Sequence, residues 1–217
     1  MSETIQCPKG WKLEKISDVC KKITSGGTPS RGNSDYFDGD IPWVKMSDMK
    51  KDLILDTKEK ITKEGLENSS AKIFSKNTIL LAMYTEDMGR TSILGIEGTT
   101  NQAICGLEVN SKILSKYLFY FLKSQKNVID RLGKGGAQPN INQNKVKNLE
   151  IVFPENKDTQ KKIIQKLDAI LGKIEEKRKE ILEIEKKQYL QKLQSNLPFS
   201  IIDTQNLITK FGSITLE

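Results

Sequence analysis

The last third of the chain most constrains what it can fold into. From Lys157 to about Leu193 the sequence reads as one uninterrupted, highly charged helix. Ile163, Leu167, Ile170, Ile174, Ile181 and Ile184 recur at alternating three- and four-residue steps, the spacing of a coiled-coil seam. At about 1.5 Å per residue such a rod exceeds ~50 Å, more than a domain the size of residues 1–154 needs to close its own core. An apolar stripe on so long a helix requires a partner helix, so the segment reads as a spacer or docking arm. The seam is interrupted by Lys177 and Gln188, and beyond Lys187 the apolar residues Leu190, Leu193 and Leu197 change phase. Polar seam residues fix register at some cost in stability, or mark where one pairing ends.

Composition excludes several classes. Cys7, Cys20 and Cys105 are odd in number and scattered, and the sequence contains no histidine. A zinc site of the usual kind and any histidine-based triad are therefore not expected. No apolar run approaches the roughly 18 residues of a membrane span, and Met1–Gly10 lacks a signal-peptide core. The expectation is a reduced, cytoplasmic protein with no membrane association. Of the net charge of +7, residues 157–195 hold +4, from eleven Lys/Arg against seven Asp/Glu. That excess fits a solvated coiled-coil exterior and does not by itself define a nucleic-acid protein.

Along the first 154 residues, short strands and helices mix without βαβ alternation, which predicts an α+β domain. Trp11–Ile23 predicts a short helix or strand, and Thr24–Ser30, with paired glycines and a proline, a loop. Strands are expected at Ile41–Met46, Thr78–Met83, Thr91–Ile96, Ala103–Val109 and Leu149–Phe153. Ile61–Ser70 reads as a short helix with Thr62 as its cap, and Ser115–Leu132 as one amphipathic helix stopped by Gly133. Asp158 is the expected cap of the long helix. The organisation expected is a globular domain over 1–154, a spacer helix over 155–195, and a tail over 196–217 that packs on the helix or on a partner.

Catalytic patterns are missing. Gly133-Lys134-Gly135-Gly136 is not a phosphate-binding P-loop, and no G-x-G-x-x-G follows a strand. The Asn/Asp-Pro-Pro-aromatic tetrapeptide of amino-methyltransferases is absent. Glu185-Lys186-Lys187 supplies half of a nuclease motif, on an exposed rod. The chain reads as a reader or scaffold, without catalytic residues, metal or cofactor.

Seven segments in order resemble one family. They are Gly10-Trp11, Ser25-Gly26-Gly27-Thr28-Pro29, Tyr36-Phe37-Asp38-Gly39-Asp40-Ile41-Pro42-Trp43-Val44, and Ile61-Thr62-Lys63-Glu64-Gly65-Leu66 with Ser69-Ser70. Next come Thr99-Thr100-Asn101-Gln102-Ala103-Ile104, the Gly135-to-Asn142 loop, and the Pro154…Gln160-Lys161-Lys162-Ile163…Leu167-Asp168 junction. Together they resemble the specificity (S) subunit of type I restriction–modification enzymes. Two departures are local: the turn before Gly89-Arg90 carries Glu86 and Asp87 where the family often has small residues, and the proline-rich junction shrinks to Pro154-Glu155-Asn156.

The resemblance implies that the domain reads double-stranded DNA in the major groove while methyltransferase (M) subunits modify an adenine; it leaves open whether restriction (R) subunits join. A full specificity subunit carries two recognition domains on two antiparallel helices, whereas here one of each is present. The expectation is a homodimer through antiparallel long helices at Ile163, Leu167, Ile170, Ile174, Ile181 and Ile184, reading a palindromic, two-part site. The alternative is a half-length assembly or decoy protein that binds specificity or modification subunits without defining a target. Candidate DNA contacts are Ser25, Thr28, Ser30 and Arg31, whose loop glycines would let backbone approach phosphate, then Tyr84, Arg90, Lys134, Gln138, Asn140 and Asn142. Trp43 is assigned to the core, and Asn101 and Gln102 to bracing the backbone.

Overall fold

The computed structural model describes residues 7–84, 87–133 and 140–196, with side chains to residue 192. Its elements in order are β1 (Trp11–Lys15), α1 (Ile16–Val19), β2 (Cys20–Ser25), β3 (Phe37–Val44), β4 (Leu53–Ile54), β5 (Glu59–Ile61), α2 (Lys63–Glu67), β6 (Ile79–Ala82), β7 (Thr91–Leu94), β8 (Thr99–Thr100), β9 (Ile104–Val109), α3 (Ser115–Ser124), α4 (Lys126–Gly133), α5 (Gln143–Lys147), β10 (Glu150–Pro154) and α6 (Lys157–Asn196). The chain divides into two units, residues 1–164 and 165–217. The α+β class read from the sequence holds.

In the first unit a five-stranded sheet runs β2-β9-β6-β7-β4, with a three-stranded sheet β5-β3-β8 and a two-stranded pair β1-β10. The central strand β6 is buried on both faces, and its alternation divides the core. Ile79 and Leu81 join Cys105, Leu107, Leu118, Leu122, Ile129 and Phe153 on one side. Leu80 and Ala82 join Val44, Met49, Phe74, Leu94 and Ile104 on the other. Trp43, Ile61 and Ala71 form a third cluster against the smaller sheet.

The expected strands at Ile41–Met46, Thr78–Met83, Thr91–Ile96, Ala103–Val109 and Leu149–Phe153 are present as β3, β6, β7, β9 and β10. Thr62 caps α2 as expected, accepting from Gly65 N–H at 3.0 Å. Four local expectations are corrected. Trp11–Ile23 contains a strand, one helical turn and a second strand, and that strand runs through Thr24 and Ser25 before the loop begins. Ile61 belongs to β5, so α2 is confined to Lys63–Glu67. Ser115–Leu132 is two helices: Ser124 Oγ donates to Phe121 C=O at 2.7 Å, and Gln125 N–H is shared between Phe121 and Leu122. This local competition for carbonyls ends α3 at Ser124, more than two turns before the expected stop. Finally, Asn156 and not Asp158 caps α6, its Oδ1 accepting from the N–H groups of Asp158 (2.8 Å) and Thr159 (3.2 Å).

The first two turns of α6 belong to the first unit. Ile164 is buried and Ile163 half-buried against the main core. Gln160 is wholly buried, and its amide bonds three backbone groups. From residue 165 onward the second unit is described as continuous helix to Asn196, with Ile170, Ile174, Ile181 and Ile184 all about half exposed. The remainder of the 196–217 tail lies outside the described residues. Among the described residues no helix is long and apolar enough to cross a membrane.

Candidate nucleic-acid interface

Most of the polar residues singled out in the sequence meet at one end of the five-stranded sheet, where β2 and β6 finish and β9 begins. A chain of hydrogen bonds joins the segments. Met83 N–H donates to Ala103 C=O (2.9 Å), Ile141 N–H to Met83 C=O (2.9 Å), and Tyr84 bridges Asn140 antiparallel. Gln143 Nε2 donates to Ser25 Oγ at 2.6 Å, and Thr28 Oγ1 donates to Gln102 Oε1. Four segments separated by up to 118 residues therefore share one surface: the Ser25–Arg31 loop, the β6–β7 hairpin, the Asn101–Ala103 turn and the start of α5.

The glycines of the first loop serve packing. A Cβ at Gly26 would sit 2.0 Å from Thr100 C=O, and one at Gly27 would sit 2.4 Å from Ala71 N. Gly27 N–H donates to Thr100 C=O at 2.9 Å, and its carbonyl accepts from buried Trp43 Nε1 at 3.0 Å. The loop glycines thus lie buried against the protein's own backbone, and the phosphate approach expected of them is corrected. Thr28, Ser30 and Arg31 are the loop residues left exposed. Trp43 is core, as read from the sequence.

Arg31 stacks over Phe37 (4.5 Å) and Trp43 (4.9 Å) while Nη2 pairs with Glu59 at 2.8 Å. Lys45 Nζ donates to the other Glu59 oxygen. Hydrogen bonding from Lys45, opposed by partial burial and reinforced by Arg31, holds the Glu59 carboxyl below its ordinary value. The carboxylate fixes a planar guanidinium on an aromatic floor, an arrangement that suits bidentate recognition of phosphate or base edges.

On the hairpin, Arg90 pairs with Asp87 at 2.6 Å and Tyr84 is 38% exposed. Asn140 and Asn142 are exposed, but the Asn142 side chain accepts from Lys145 N–H at 2.9 Å and caps α5. Lys134 and Gln138 lie outside the described residues. Asn101 braces its own turn, its Oδ1 accepting from Ala103 N–H at 3.1 Å. Gln102 is exposed beside Thr28. Gln143, Lys45 and Glu59 were not signalled by the sequence. Gln143 and Ser25 are far apart along the chain, and no local motif marks the Lys45–Glu59 pair.

Among the described residues no group of His, Cys, Asp or Glu is arranged to hold a metal. Cys20 and Cys105 are buried, and burial pushes both thiols up to about 12. Hydroxyls, amides and guanidinium groups on loops beside the buried core are the chemistry of a recognition domain.

The comparisons specify which. Residues 8–186 match the profile of the type I restriction modification DNA specificity domain, and the chain belongs to that family. It is 31% identical over 183 residues to the type I restriction enzyme MjaIX specificity subunit of Methanocaldococcus jannaschii, covering 81% of this chain and 42% of that one. It is 27% identical over 176 residues to the EcoR124I/EcoR124II specificity subunit of Escherichia coli, covering 77% and 44%. Among solved structures, the HsdS subunit from Thermoanaerobacter tengcongensis superposes with a TM-score of 0.63 at 14% identity, over 82% of this chain and 41% of that one. A chain from a study of complex assembly and conformational transition of a type I R-M system gives 0.67 at 18%, over 88% and 45%. The chain spans less than half the length of the curated relatives it matches.

Proposed function

We propose that this chain is the non-catalytic, DNA-reading subunit of a type I restriction–modification (adenine methyltransferase) complex, acting in the cytoplasm. In this reading, residues 1–154 recognise a half-site through the surface at Ser25–Arg31, Tyr84, Arg90 and Asn140–Gln143. Residues 155–195 act as spacer and pairing element. Two copies pair through antiparallel long helices, present two identical readers to a palindromic, two-part site, and recruit M subunits that transfer the methyl group.

The observation that carries the pairing is the exposed edge of α6. Ile170 (55%), Ile174 (46%), Ile181 (54%) and Ile184 (54%) stand open on one stripe of a helix rich in Lys and Glu. Covering each half-exposed isoleucine contributes on the order of 1 kcal/mol, repeated on both copies. Such a stripe lowers its free energy by finding a second helix.

Sedimentation of the full chain at micromolar concentration should give a dimer, and Ile174→Asp or Ile181→Asp should give monomers. A monomeric parent overturns the pairing. Mapping methylated adenines in DNA exposed to the chain plus its methyltransferase should return one symmetric, interrupted sequence. A stable complex with specificity or modification subunits that has no sequence-specific DNA affinity identifies an assembly or decoy protein instead.

A further inference from the structure

The charges flanking the α6 stripe choose the orientation of a second copy and the stripe itself chooses the register; this inference rests on the homodimer proposed above. The three- and four-residue steps assign Leu167, Ile174, Ile181 and Gln188 to the a positions of the heptad, and Ile170, Lys177, Ile184 and Gln191 to the d positions. The residue before each a, position g, is then Lys166, Lys173, Glu180 and Lys187. The residue after each d, position e, is Leu171, Arg178, Glu185 and Lys192.

In a parallel pair each g faces the e of the next heptad on the other chain. Lys173 would then face the partner's Arg178, Glu180 the partner's Glu185, and Lys187 the partner's Lys192. Each contact occurs twice, and Lys177 would meet its own copy in the seam. Apart from Lys166, which faces the partner's Leu171, the flanking contacts are all between like charges, so parallel pairing is disfavoured.

An antiparallel pair sets a against d and g against g, and three registers differ by one heptad. In the first, Ile170 packs on the partner's Ile181, and Leu167 on the partner's Ile184. Counted from both copies this gives four apolar layers, all built from residues beyond Ile164. Lys173 then faces the partner's Glu180 twice, opposed by Lys166 against the partner's Lys187, and Ile174 lies across the central axis from the partner's Lys177. Sliding one heptad inward sets Lys173 against itself and Lys166 against the partner's Glu180, but it leaves Ile184 without an apolar partner and calls on Ile163, which is packed in its own domain core. Sliding one heptad outward sets Glu180 against itself, sets Lys173 against the partner's Lys187, and faces Ile170 and Leu167 with the partner's Gln188 and Gln191. The first register alone seats Leu167, Ile170, Ile181 and Ile184 on apolar partners drawn wholly from beyond Ile164, while its flanking charges balance, two Lys173–Glu180 pairs against two Lys166–Lys187 contacts.

We propose that two copies of this chain pair antiparallel in that register, with Lys173 of each helix bonded to the partner's Glu180. Glu180 is already held at 2.6 Å by Lys177 of its own helix, so the interchain contact joins an existing pair. The register fixes the ruler between the readers. The two Ile164 roots lie ~23 residues apart along the rod, about 35 Å at 1.5 Å per residue, close to the roughly 34–36 Å of one DNA turn. The inner and outer registers would give about 24 Å and about 45 Å.

The test uses the full chain with Cys7→Ser and cysteines placed in the seam. Ile170→Cys with Ile181→Cys should yield a disulfide-linked dimer on mild oxidation, whereas Ile181→Cys alone should not. Efficient linkage through Ile181→Cys alone means a parallel pair, and linkage through Ile170→Cys with Ile174→Cys means the inner register; either overturns the proposal. Independently, Lys173→Glu and Glu180→Lys should each weaken the dimer about tenfold, and the double reversal should restore it. In the inner register the double reversal would not restore pairing, and in a parallel pair Lys173→Glu alone would strengthen it. A parent that never dimerises refutes the homodimer itself, a result distinct from a dimer in the wrong register.

Discussion

Gln160 offers a sharp test of how the rod is rooted in the recognition domain. Its Oε1 accepts from Leu114 N–H at 2.9 Å, while its Nε2 donates to Pro154 C=O at 2.8 Å and Lys112 C=O at 3.1 Å. The side chain is wholly buried, so the amide satisfies groups from the β9–α3 loop and from the end of β10 together. Gln160→Leu keeps the volume and removes all three bonds. Each orphaned group costs about 1–3 kcal/mol, towards the lower end for the two groups nearer the surface, so the loss should total ~3–5 kcal/mol. Against the roughly 5–15 kcal/mol that stabilises a domain this is a large fraction. With a urea slope of about 2 kcal/mol per molar, the unfolding midpoint should fall by ~2 M at unchanged slope. Gln160→Glu should be similarly damaged at neutral pH, because a carboxylate would face two carbonyls. It should recover in part on acidification, when the protonated acid donates again. A midpoint shift below ~0.5 M for the leucine variant would show that these groups find water or other partners, and would refute the amide as the anchor.

Three further outcomes follow from the same surfaces. Gly27→Ala should lower stability measured by urea unfolding by at least ~2 kcal/mol, since the added carbon would sit 2.4 Å from Ala71 N, a backbone atom with no room to give; a neutral effect would mean that the loop shifts freely. Asn142→Ala should cost ~1 kcal/mol through the lost α5 cap, and Asn142→Asp should restore it, as read by thermal unfolding; equal losses in both variants would exclude capping as the cause. At pH 8 a maleimide should label Cys7 rapidly and leave Cys20 and Cys105 protected until the protein unfolds. Because burial raises those two thiols to about 12, their contribution to stability is full below the ordinary thiol value of 9.0 and is lost as pH rises through about 12; urea midpoints that stay level from pH 9 upward would contradict that sign.

Local periodicity made much of this legible. The continuous apolar run at Thr78–Met83 became the central strand because a strand buried on both faces needs no polar alternation. The Thr62 cap and the long helix were equally visible, since both depend on neighbours within four residues. The two- and three-residue strands β4, β5 and β8 escaped because each is defined by a distant partner: Leu53 pairs with Ile93, and Trp43 with Thr99. Asn156 displaced Asp158 as the cap by two positions, a choice set by where β10 releases the chain.

The amino-acid order alone therefore determined the α+β class, the long helix and its apolar stripe, and the family resemblance, because each is written in spacings that a short stretch of chain enforces on itself. Only the tertiary structure decided what the polar residues do. Gly26 is required by the backbone of Thr100 and Gly27 by that of Ala71, Asn142 is engaged in a cap, Ser25 holds Gln143, and Glu59 poises Arg31 over Trp43. Hydrogen-bonding side chains carry no record in one dimension of which partner they will meet. That is settled when packing of the apolar core brings distant loops to the same edge of the sheet.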